Sequence, residues 1–193
     1  MPNESLRNWR ELVGAKRKEM LTGLGRVPFI DDYLKAQLDR VEPSDQFELA
    51  YHPSRVQLTT GGWRDRVYVV EAIKYINTRG SWPWEHGGQN YQPLSEVQAI
   101  ESSPTRLRAR LATKIYAVGE SGMGGVVFTL VTSSGRSLPY TIGGSAVDWV
   151  ELPVGVSPDE IIDVITHDRG RPQEAEEIRG GAPYAWCLYQ LPD

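Results

Sequence analysis

The chain of 193 residues carries 40% apolar and 24% charged side chains and a formal net charge of −4 at neutral pH. That composition belongs to a globular domain long enough to bury a core, and it excludes disordered and collagen-like chains. Charge is unevenly spread: 8 basic against 7 acidic residues in 1–42, 10 against 8 in 43–147, and 3 against 10 in 148–193, an acidic end that argues against general coating of nucleic acid.

No run approaches the roughly 18–20 apolar residues of a membrane-spanning helix, so no membrane partner is expected. The polar start Met1-Pro2-Asn3-Glu4-Ser5 lacks an apolar signal core, and the expectation is a cytoplasmic protein. A single cysteine, Cys187, rules out an internal disulfide and a multi-cysteine metal site.

In chain order, residues 5–21 read as a helix, with Leu6, Trp9, Val13, Met20 and Leu24 near one stripe and Ser5 as N-cap. Gly23 and Gly25 supply its stop before Pro28. A second helix is expected over 28–41, with Ile30, Tyr33, Leu34, Leu38 and Val41 apolar and Asp31 and Asp32 complementing the dipole of its first turn. Residues 1–43 thus form a helical hairpin too small to fold alone, followed by a β-rich domain over 44–193.

After Ser44 the apolar period becomes two. Strands are expected over 55–59 and 67–76, joined by a Gly-Gly turn at 61–62. Residues 103–113 are ambiguous, because Ser103-Pro104 favours a helix start while Leu107, Ala109, Leu111, Thr113 and Ile115 alternate with cations; strand is the expectation and helix the alternative. A hairpin follows between 114–118 and 126–131, then strands over 138–142 and 146–152. Residues 157–160 make one turn before the β-branched strand 161–165. A loop with a short helix over 173–178 leads to an aromatic strand at 184–189. The fold expected is α+β, an N-terminal helical hairpin packed on a mainly antiparallel β-sandwich or open β-barrel of about 7–9 strands.

Local motifs for chemistry are sparse. The glycines of 119–125 precede a β run rather than a helix and carry no Gly-Lys-Ser, so they read as a turn and not a phosphate loop. His52, His86 and His167 lie at no short metal-ligand spacing, and no metal or cofactor is expected. Cys187, between Trp186 and Leu188, sits in apolar surroundings that make a thiol inert, and no nucleophile elbow is present.

Two stretches carry the candidate binding residues. In the loop 77–91, Pro83 stiffens a Trp-Pro-Trp unit. Trp82, Trp84 and Tyr91 offer stacking surfaces, Glu85, Gln89 and Asn90 hydrogen bonds, and His86 a pH-sensitive contact. The plain alternative is that its indoles fold back as a lid on the core. In the second stretch Arg106, Arg108, Arg110 and Lys114 form a cationic stripe suited to anions on one strand face, with ion pairs to the acidic 148–177 region as the alternative.

The leading expectation is a non-enzymatic binding or regulatory module that recognises a protein partner or small ligand through the 82–91 loop. One alternative is an enzyme whose His52, Glu85, His86 and His167 converge in a cleft. The other is a single-stranded nucleic-acid binder using the arginine stripe. Self-association is expected if the helical hairpin keeps a surplus apolar stripe.

Overall fold

A computed structural model describes residues 20, 22–46, 49–85, 90–119, 125–143, 146–167 and 180–192. The first expected helix, 5–21, falls outside them apart from Met20, as do the expected helix 173–178 and residues 86–89 and 120–124.

The fold is α+β, with two mainly antiparallel sheets that do not close into a barrel. Helix α1 (Asp32–Leu38) begins at Asp31, whose carboxylate accepts the Leu34 amide at 2.7 Å and satisfies one of the free N–H groups of the first turn. The first sheet contains β1 (Ser44–Gln46), β2 (Leu49–Leu58), β3 (Trp63–Glu71), β4 (Asn90–Tyr91), β5 (Val97–Ser102) and β9 (Ala185–Tyr189). Its order is β1-β2-β3-β9-β4, with β5 also paired to β2; β9 runs parallel to both β3 and β4. The second sheet has the order β7-β6-β8, from β6 (Gly125–Thr132), β7 (Ser137–Gly143) and β8 (Ile161–Thr166). Among the described residues no helix is long and apolar enough to cross a membrane.

Central strands of the first sheet are covered on both faces. Val67 and Val69 belong to a cluster with Ile30, Leu34, Leu38 and Val41 of the α1 region. The alternate residues Tyr68 and Val70 join a larger cluster with Tyr51, Trp186, Phe128, Leu130 and Tyr140, which draws on both sheets. Strand β9 divides in the same way, Cys187 on the α1 side and Trp186 and Leu188 on the other. This is why the runs Val67–Val70 and Trp186–Leu188 are apolar without alternation.

Five expectations are corrected. The run 67–76 stays extended only to Glu71 and then coils into α2 (Ala72–Arg79). Ala72, Tyr75 and Ile76 give it a buried i, i+3, i+4 stripe, and Gly80 ends it at φ 72°, a left-handed cap that glycine adopts without a Cβ clash. The segment 109–118, expected as strand, is helix α3 (Ala109–Val118), burying Leu111, Ala112, Ile115 and Tyr116. The hairpin between 114–118 and 126–131 is therefore absent, and β6 pairs with β7 and β8 instead. Residues 146–152 contribute a single bridge, Val150 with Gly181, in place of a strand. The last correction concerns Tyr33, placed on the apolar face of its helix by spacing but 66% exposed, because the buried stripe runs Ile30, Leu34, Leu38 and leaves position 33 turned outward.

Candidate functional site

The most connected polar group in the described structure is Asp148, in the segment between β7 and β8 and fully buried. One carboxylate oxygen accepts the Ser44 hydroxyl from β1 and lies 3.5 Å from the Arg106 guanidinium. The other accepts the phenol O–H groups of Tyr68 (β3) and Tyr116 (α3), both at 2.8 Å. The Tyr116 oxygen in turn accepts the Val147 amide at 3.0 Å, and the Leu107 amide donates to the Asp148 carbonyl at 2.8 Å. Four side chains far apart in sequence from Asp148, those of Ser44, Tyr68, Arg106 and Tyr116, therefore meet on one carboxylate.

Burial pushes the Asp148 carboxyl above the ordinary carboxylate range, and the contacts from Ser44, Arg106, Tyr68 and Tyr116 pull it back. Burial likewise pushes the Arg106 guanidinium down, against the attraction of Asp148. Tyr68 and Tyr116 are driven upward by burial and then by the Asp148 charge, so both phenols stay protonated and remain donors. Such a pair contributes little net stability compared with an apolar substitute, but losing one partner strands the other charge. Asp148 itself is sealed from solvent; it positions Arg106.

Arg106 is held on every side. Its Nε donates to the Leu107 carbonyl at 3.1 Å, Nη1 to the Glu42 carbonyl, and Nη2 to the Ser44 hydroxyl at 2.9 Å. Its edge lines a cleft of about 640 Å³ that also takes in Arg40, Arg108 and Arg110, the hydroxyl residues Ser102 and Ser103, and the carboxylates Glu42 and Asp159. The amino end of α3, Arg108–Ala109–Arg110, forms part of the wall, which adds the positive end of a helix dipole to the four lining arginines. Ser103 is fixed by the Trp149 indole N–H, which donates to its hydroxyl at 2.9 Å.

The cationic stripe is therefore split, because it lies before and along a helix and not on a strand. Arg106, Arg108 and Arg110 all line one cleft, whereas Lys114 does not and reaches β8, donating to the Asp163 carboxylate at 3.0 Å and the Val164 carbonyl at 2.6 Å. Arg108 donates to the Asp159 carbonyl at 3.0 Å and Arg110 to the Ile162 carbonyl at 2.8 Å. Ion pairs with the acidic segment are thus present at Arg106, Arg108 and Lys114.

In the 82–91 loop, Trp82 is 1% exposed and belongs to the large core cluster. Trp84 is half-buried against it, its ring parallel at a centroid distance of 5.1 Å, and Tyr91 meets Trp84 edge-on at 4.9 Å. The Glu85 carboxylate turns back to accept the Trp82 amide at 3.0 Å, while Asn90 is exposed at the start of β4. His86 and Gln89 lie outside the described residues. The two indoles are packed as a lid on the core, the alternative that the loop's composition also allowed.

His52 donates from Nδ1 to the Val41 carbonyl at 3.1 Å, and His167 is 2.9 Å from the Thr129 hydroxyl. Neither lines the arginine cleft. Among the described residues no group of three or more His, Cys, Asp or Glu is placed to hold a metal ion. Cys187 is buried and its thiol pushed up to about 12 by burial.

Sequence reasoning missed Ser44, Tyr68, Tyr116 and Asp148 as a group, and missed Arg40. The available signal was Asp148 itself, a lone carboxylate inside the apolar run Ala146–Val150, since a charge in such a position is buried only when paired.

The fold and site thus define an α+β protein with a buried carboxylate hub behind an arginine-lined cleft. Compared with known protein families, with curated proteins and with solved structures, the chain matches none.

Proposed function

We propose that this protein is a non-enzymatic binding module for an anionic ligand, seated among Arg40, Arg106, Arg108 and Arg110. The observation that supports the reading is that four arginines line one cleft, with Arg106 buried and pinned in advance. A binder whose cation is already fixed loses little conformational freedom on association, which is the main saving available to a polar site. Guanidinium groups stay charged at all physiological pH values and present a planar fork that matches phosphate or carboxylate oxygens. They exchange no proton near neutrality, so the cleft suits capture of an anion better than acid–base chemistry.

Calorimetric titration with sodium tripolyphosphate tests this. The intact protein should bind it, with affinity falling steeply between 50 and 200 mM NaCl by roughly the release of paired counterions. The Arg108→Gln, Arg110→Gln double variant should bind at least about tenfold more weakly while melting at the wild-type temperature, because both side chains are on the surface. Absence of binding at low salt by a folded wild-type protein would reject the proposal.

A further inference from the structure

The arginine cleft does not end at Arg40. Arg40 and Ser102 also line a second cleft of about 390 Å³ between α1 and the β5 edge of the first sheet, so the two clefts adjoin at these residues and are taken together as the two lobes of a groove. The second lobe differs in chemistry. It is lined by two exposed aromatic rings, Tyr33 (66% exposed) and Trp63 (43%), and by the amides of Gln37 and Gln57. The Trp63 ring is held in place, with the Arg55 guanidinium 4.7 Å over it and Arg55 itself anchored on Glu101 through a 2.9 Å bond from Nε. Gln37 is fixed as well, its oxygen accepting the Ile100 amide at 2.6 Å and closing that part of the β5 edge to strand addition.

We propose that the groove takes a nucleoside polyphosphate, the base against Tyr33 and Trp63 and the phosphates among the arginines. This rests on the anion-binding reading of the arginine lobe and deepens it. A base needs a flat apolar surface for its π face and amide groups for its edge, and the Tyr33–Trp63 lobe supplies both. A polyphosphate needs several cations within one small volume, and the other lobe is lined by four arginines. Arg106 is paired with the buried Asp148 and Arg108 with Asp159, which leaves Arg40 and Arg110 without a carboxylate partner among the ion pairs of the described residues. The separation of the two chemistries favours a mononucleotide over a nucleic-acid strand. A strand alternates base and phosphate along its length and calls for interleaved rings and cations; here the rings lie in one lobe and three of the arginines in the other, with Arg40 at the junction.

The test compares four probes on the full chain: tripolyphosphate, a purine nucleoside triphosphate in the absence of metal, the free nucleoside, and a (dT)10 oligonucleotide. The triphosphate should bind about tenfold or more tighter than tripolyphosphate, the advantage expected of one stacked base. Trp63→Leu and Tyr33→Ala, at exposed positions, should erase that advantage and leave tripolyphosphate affinity unchanged; Arg108→Gln with Arg110→Gln should weaken both. Equal binding of the triphosphate and tripolyphosphate, or an advantage that survives in Trp63→Leu, overturns the nucleotide proposal while leaving the anion site standing. Tighter binding of (dT)10 than of the nucleotide overturns it in favour of a strand. Failure of tripolyphosphate to bind removes the anion site, and this proposal with it.

Discussion

Replacing Asp148 with alanine removes the acceptor for three hydroxyl groups and the counter-charge of Arg106 in one step. The side chain is fully buried, so water does not take its place without opening the core. Breaking a buried ion pair from one side costs about 3–5 kcal/mol. For a chain of this size each kcal/mol is worth roughly 2–4 °C, so Asp148→Ala should melt about 6–20 °C below wild type. Asp148→Asn keeps the shape but also removes the counter-charge of Arg106 and turns an amide NH2 toward groups that donate, so it should cost about 3–5 kcal/mol as well. Adding Arg106→Met to Asp148→Ala removes the stranded charge, so the double variant should be more stable than the sum of the single losses predicts. Urea unfolding at pH 7 measures all three. The pH dependence carries a further signature. Because burial raises the folded-state carboxyl above its unfolded value, the Asp148 contribution is greatest in acid and is lost as pH rises through the folded value; the wild-type advantage over Asp148→Ala should therefore widen on acidification. A loss below about 1 kcal/mol in Asp148→Ala, with an unchanged dependence on urea, would refute the hub as a structural tie.

Two other perturbations probe separate parts of the fold. A Cβ on Gly23 would lie 1.9 Å from Nε1 and 2.3 Å from Cε2 of the Trp82 indole, which is pinned by its stack on Trp84. Gly23→Ala should cost about 1–3 kcal/mol or more by overpacking, and its penalty should shrink in a Trp82→Phe background; a melting temperature within a degree of wild type would show that the two do not touch. His52 is held below its ordinary value by burial, partly offset by its bond to the Val41 carbonyl. A histidine whose folded pKa is depressed binds its proton better when unfolded, so stability should fall as pH drops below about 6.5, and His52→Gln should flatten that slope in acid-denaturation curves.

What the sequence made legible is local. The hairpin β6–β7 follows from apolar runs beside turn residues and strand β8 from its β-branched residues, and Ser157 and Glu160 form the capping box of the single turn before β8. Helix α3 was hidden because Leu111 and Ile115 fit both periods; Ala112 and Tyr116 break the tie, since only a helix buries them on the same side. Helix α2 was hidden because Ala72, Ile73, Tyr75 and Ile76 continue the β-prone run Val67–Val70 past Glu71, with Gly80 as the stop signal that distinguishes it. The arginines of the cleft were visible in the sequence, but their placement was not: α3 gathers Arg106, Arg108 and Arg110 around its first turn, and α1 brings Arg40 from far upstream. The hub depends on Ser44 meeting Asp148 across 104 residues, a contact that no local pattern encodes.

A map of backbone amide shifts under tripolyphosphate titration tests the arginine lobe as an anion site most directly. Saturable shifts should be confined to the start of α3, residues 108–111, and to Ser102–Arg106, and Arg108→Gln with Arg110→Gln should raise the concentration that saturates them at least about tenfold. Shifts that never saturate, or that cluster away from these residues, would contradict it.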